Sequence, residues 1–139
     1  IDLGKPFILN LAKNPAGFNQ AIQTVMLDKR KKDVIVAIND LANDGRDVSW
    51  LWDVDFDKLY DENLNSLTTT GIRVYISLRL RYADVPVDCI TKSMKEALNR
   101  CRTTDAEVCY VLVNYTALYP TQTCMLELKK EIKGGGEAQ

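Results

Sequence analysis

Val34-Ile35-Val36-Ala37-Ile38-Asn39-Asp40 is the stretch on which the fold turns. Five successive apolar residues leave no polar face, the pattern of a strand covered on both sides. The run then delivers an amide and a carboxylate to its C-terminal end. Upstream, Phe7–Leu11 is a second short apolar run and reads as a first strand. Asn14 suits a helix N-cap, and Pro15 suits the first helical position. Phe18, Ile22, Val25 and Met26 then recur at spacings of three and four, marking one face of a helix. The basic cluster Lys29–Lys32 is expected to close that helix at the negative end of its dipole.

Downstream, Leu41–Asp47 is polar. In Ser49–Phe56, Trp50, Trp52, Val54 and Phe56 alternate with Ser49, Asp53 and Asp55, which predicts a strand with both carboxylates opposite the tryptophans. Ile72–Tyr82 fits both periods and is read as a short strand, Ile72–Tyr75, running into a helix. Asp88 is expected to cap a helix carrying Ile90, Met94, Ala97, Leu98 and Cys101. Val108–Val113 is another buried strand. Thr121 or Thr123 opens a last helix, which Gly134 stops. Residues 1–133 are thus expected to form the domain and 134–139 a disordered tail. Strands alternating with helices give an α/β, Rossmann-like three-layer sandwich around a mostly parallel sheet. Working groups in such sheets lie at the carboxyl ends of the strands, here the loops Lys13–Gly17, Asn39–Asp47 and Asn114–Pro120.

The 139 residues, 46% of them apolar and 27% charged, have the balance of a globular domain. Eighteen basic residues against 19 acidic ones leave no strong field for nucleic acid or an anionic membrane. No apolar run is long enough to span a bilayer, and no signal peptide opens the chain. Ile1-Asp2-Leu3-Gly4-Lys5 reads as mid-protein sequence. The four cysteines lack a C-x-x-C pair, and Cys89 and Cys101, expected on one helix, would lie too far apart for a disulfide. They read as reduced thiols of a cytoplasmic protein. With no histidine, the chain can complete neither a Cys-His nor a Ser-His-Asp site, and no metal-ligand set is evident. It also lacks the G-x-x-x-x-G-K-[ST] and G-x-G-x-x-G loops, so any phosphate grip of that kind lies outside it.

What remains is a cluster of carboxylates. Asn39-Asp40 and Asp44-Gly45-Arg46-Asp47 place three acids and one guanidinium within nine positions, and Asp53 and Asp55 follow. Such a cluster could bind a cation, orient a cationic partner or hold an arginine for phosphate. Asp44-Gly45 is equally ordinary turn chemistry. Trp50 and Trp52 read as core or interface residues.

Asn14-Pro15-Ala16-Gly17-Phe18-Asn19, Asn39-Asp40, Asp44-Gly45-Arg46-Asp47-Val48-Ser49-Trp50-Leu51-Trp52-Asp53 and Tyr115-Thr116-Ala117-Leu118 occur in this order. Together they resemble the C-terminal domain of the Mur-ligase-like subunit (MurT) of lipid II isoglutaminyl synthase. The resemblance implies a ligase whose N-terminal and central ATP-binding domains lie outside this chain. ATP and Mg would serve the full-length subunit, none being held by this domain alone. That subunit would activate the D-glutamate α-carboxyl of lipid II as an acyl phosphate. A partner glutaminase subunit would supply ammonia, and the isolated domain would be inactive. The resemblance further implies that this domain donates an aspartate to the partner's Cys-His pair. Asp53 is the position that matches, with Asp47 and Asp55 as alternatives. Asn14 and Arg46 would face the ATP cleft; Trp50, Trp52, Asp44 and Asp47 would meet the partner. The alternative is a non-catalytic docking and lid domain of a Mur or folylpolyglutamate-type ligase. Two positions depart from the pattern: Ile76 stands where an acidic residue is expected after Arg73, and Asn114 where threonine is.

Overall fold

In the computed structural model, residues 1–38, 53–71 and 87–137 are described. Among the described residues, five strands form one sheet: β1 (Phe7–Leu11), β2 (Lys32–Ile38), β3 (Leu64–Gly71), β4 (Cys89–Ile90) and β5 (Val108–Val113). Their order is β1-β5-β2-β3-β4, and every neighbouring pair is parallel. Among the described residues, three α-helices accompany it: α1 (Pro15–Leu27), α2 (Met94–Arg102) and α3 (Tyr115–Glu137). This is the α/β, Rossmann-like sandwich the alternation of elements predicts.

The two faces of the sheet are two cores. Val34, Val36 and Ile38 of β2 join Phe18, Ile22 and Val25 of α1, with Val54, Phe56 and Leu59. Ile35 and Ala37 point the other way, to Ala97, Leu98 and Cys101 of α2 and to Ala117, Met125 and Leu128 of α3. All seven residues of β2 are buried, which explains its lack of a polar face. Its first two residues are polar. Asp33 is fully buried and accepts hydrogen bonds from Ser66 Oγ at 2.6 Å, Asn65 Nδ2 at 2.8 Å and the Thr104 hydroxyl, which itself meets Lys5 Nζ at 3.0 Å. One carboxylate thus ties the starts of β2 and β3 to the loop before β5 and to the N-terminal segment.

Several expectations are corrected. The basic cluster does not close α1, which ends at Leu27. Arg30 folds back onto Asp28, Lys31 pairs with Asp105, and Lys32 enters β2 and is buried. Leu64–Gly71 forms β3, a strand unforeseen in the sequence. Ser93, not Asp88, caps α2, while Asp88 bonds through its carboxylate and its amide to Leu67 of β3. Cys89 therefore sits on β4 and Cys101 on α2 rather than on one helix, and all four thiols are free. The last helix opens at Tyr115, carries Pro120 inside it and runs past Gly134 to Glu137. Ile72–Tyr75 and the helix expected after it lie outside the described residues.

Candidate functional site

β1, β5 and β2 are neighbours in the sheet, so their carboxyl ends lie side by side. Ala12 N donates to Val113 O at 2.9 Å and Asn114 N to Ala37 O at 3.4 Å, which joins the three strand ends. At the first end, Asn14 adopts extended backbone and its side-chain oxygen accepts from Gly17 N at 2.8 Å. Pro15 follows at the start of α1, as expected, and contributes no N–H. A Cβ added to Gly17 would stand 3.4 Å from that Asn14 oxygen and 3.6 Å from Ala12, in ordinary van der Waals contact with the cap. At the third end, Asn114 is buried and β5 passes directly into α3, leaving one junction residue instead of a seven-residue loop.

Beyond the second strand end, the described residues resume at Asp53. The strand expected over Ser49–Phe56 is not found in its described part: Phe56–Leu59 is a 3-10 turn, and Phe56 N bonds to Val54 O at 2.9 Å. The cause is Asn19 in the second turn of α1. Its Oδ1 accepts from Asp55 N at 2.7 Å and its Nδ2 donates to Asp53 O at 3.3 Å, taking two groups that a strand ladder would have used. The in-out alternation survives without the strand. Val54 and Phe56 are fully buried, the Phe56 ring 6.4 Å from that of Phe18, while Asp53 faces solvent. Burying two such side chains contributes about 1.5–3 kcal/mol each, enough to hold the segment against α1.

The two carboxylates differ in what surrounds them. Asp55 is half-exposed and pairs with Lys58 Nζ at 3.4 Å. Asp53 is exposed, and among the described residues its carboxylate has neither an ion-pair nor a hydrogen-bond partner. Its backbone carbonyl is held by Asn19 while the side chain faces solvent. Asp44, Arg46, Asp47, Trp50 and Trp52 lie outside the described residues. Asn19 had no role assigned from the sequence. The signal available was an amide one turn into an amphipathic helix, on the flank beside the apolar stripe.

No helix among the described residues is long and apolar enough to cross a membrane. The MurT ligase C-terminal family matches residues 11–118. Over 135 residues the chain is 37% identical to the lipid II isoglutaminyl synthase (glutamine-hydrolyzing) subunit MurT of Staphylococcus aureus strain COL, a match covering 94% of the chain and 30% of the relative. Over 117 residues it is 33% identical to the subunit of the same name from Streptococcus pneumoniae strain R6, covering 82% and 26%. The chain thus spans less than a third of the length of these curated relatives.

Proposed function

Because the chain belongs to the MurT ligase C-terminal family, we propose that it serves a lipid II isoglutaminyl synthase, amidating the D-glutamate α-carboxyl of a peptidoglycan precursor. The names of these relatives support a glutamine-hydrolysing ligase made of more than one subunit. Ammonia would then come from a glutaminase subunit, and ATP, with Mg, would be held by the rest of the ligase subunit. In this chain, Asn14, at the cap of α1, would meet the nucleotide together with Arg46.

The observation that carries the reading is Asp53: a solvent-facing carboxylate without a partner, on backbone pinned by Asn19 and by two buried apolar side chains. A Cys-His pair needs a carboxylate to fix the imidazole tautomer and stabilise its cation. Asp53 supplies that group across the interface, and the chain has neither the histidine nor the need for one. Asp55, neutralised by Lys58, is the poorer donor. Trp50 and Trp52, with Asp44 and Asp47, would surround the contact.

The reading is tested by reconstituting the parent subunit with its glutaminase and supplying lipid II, ATP and glutamine. Glutamine-dependent conversion of lipid II to the amidated form, read by mass spectrometry and absent when either subunit is omitted, is the expected result. Conversion by the ligase subunit from glutamine alone, or none by the pair, would contradict it.

A further inference from the structure

On the face opposite α1, a cavity of about 180 Å³ opens where β2 and β3 end. Ala37 and Thr70 form its floor; Lys92, Ser93 and Met94 at the start of α2, and Pro120 and Thr121 of α3, are among its walls. Thr70 pairs with Ala37 and Thr68 with Ile35 in the β2–β3 ladder, so both threonines share the face of the second core. Thr70 is 4% exposed, and among the described residues its hydroxyl has no hydrogen-bond partner. Thr68 beneath it is fully buried, and its Oγ1 is likewise unpartnered. The Thr70 hydroxyl therefore opens to the cavity with its bonding capacity unused, above a Thr68 hydroxyl that is itself buried and unsatisfied, a rare condition for a buried hydroxyl.

The wall above them is built to receive an anion. Ser93 Oγ accepts from Glu96 N at 3.2 Å, and Ala97 N bonds to Ser93 O at 3.2 Å. That leaves the Met94 and Lys95 amides without partners among the described residues, at the positive end of a nine-residue helix. Glu96 turns its carboxylate to Lys92 N at 3.2 Å and is not among the cavity's lining residues. The Lys92 ammonium is exposed and forms no ion pair among the described residues. The free Met94 amide at the helix start, a hydroxyl donor and one exposed cation, all on residues that line the cavity, are ingredients of a phosphate site. The volume falls below that of a pocket for a whole small molecule, so it takes a single group.

We propose that this cavity is a phosphate-binding subsite, holding one phosphoryl group of a larger ligand between Thr70, the α2 N-terminus and Lys92. Its recognition chemistry comes from its own lining and does not rest on the role of Asp53.

The test uses this chain and inorganic phosphate, with acetate at matched ionic strength as the comparison. Phosphate is expected to raise the melting temperature saturably, with a dissociation constant on the order of 1 mM, and to shift the Met94, Lys95 and Thr70 amide resonances. Lys92→Ala and Thr70→Val should each weaken that effect about tenfold, the loss of one charge-assisted hydrogen bond. Without phosphate, Thr70→Val should melt no lower than the parent, since it replaces an unsatisfied hydroxyl by an isosteric methyl. If Thr70→Val does not fold, Lys92→Ala decides alone, being exposed. Absence of a saturable effect, an effect unchanged in Lys92→Ala, or acetate binding as tightly as phosphate would overturn the proposal.

Discussion

Asn19 holds the segment that presents Asp53, and it does so with both ends of one amide. Removing it leaves Asp55 N and Asp53 O to find other partners, at a cost of about 1–2 kcal/mol. Asn19→Ala is therefore expected to lower thermal stability modestly. It should also lower glutamine hydrolysis by the assembled complex at least tenfold, because a carboxylate displaced by an ångström no longer meets an imidazole. A melt and a glutaminase assay on one preparation check both. Asp33 is a different kind of acid. Fully buried and satisfied by three donors, it is structural, and Asp33→Ala leaves those donors orphaned for roughly 3 kcal/mol. Chemical denaturation should show that loss, with the glutaminase activity of whatever complex still folds unchanged.

Among the elements, what was legible in the sequence and what was not divide on physical lines. β1 and β5 coincide with the runs Phe7–Leu11 and Val108–Val113, while β2 contains the run Val34–Ile38 but starts two polar residues earlier, at Lys32. β3 is Leu-Asn-Ser-Leu-Thr-Thr-Thr-Gly, whose buried face is made of hydroxyls, so hydropathy alone passes over it. The β-branched threonines were the available signal. The start of α2 was legible too, as Ser93-Met94-Lys95-Glu96, a capping box that outweighs Asp88. Ser93→Ala is expected to cost about 1 kcal/mol by denaturant titration. The strand expected over Ser49–Phe56 failed from Asp53 onward because a side chain far away in sequence, Asn19, claims its backbone. No local pattern reports that. The site itself was legible only as a carboxylate between tryptophan and valine; which acid stands free and which is paired with Lys58 required the fold.

Across the whole molecule, acid should act through Asp28. The Arg30 guanidinium, which hydrogen-bonds it, and the Tyr110 hydroxyl at 2.8 Å hold its carboxyl well below the ordinary carboxylate range, against the opposing effect of burial. A depressed carboxyl favours the folded state at every pH above its unfolded value of about 3.9, and the contribution fades as pH falls from there through the folded value. Stability should thus decline below about pH 4, and Asp28→Asn should flatten that acid limb while lowering stability at neutral pH. Thermal melts across the acid range read both effects. The sandwich also sorts the thiols. Cys101 and Cys109 lie in the second core, burial raising the Cys109 thiol well above its usual range, whereas Cys89 and Cys124 are partly exposed.

The central claim is that Asp53 completes a partner's Cys-His site. The direct measurement is glutamine hydrolysis by the reconstituted two-subunit complex, wild type against Asp53→Asn, with assembly followed in parallel by size-exclusion chromatography. The account predicts a fall of about 10⁴-fold, on the scale of losing a triad carboxylate, with the complex intact. Hydrolysis at the wild-type rate in an intact complex would contradict it.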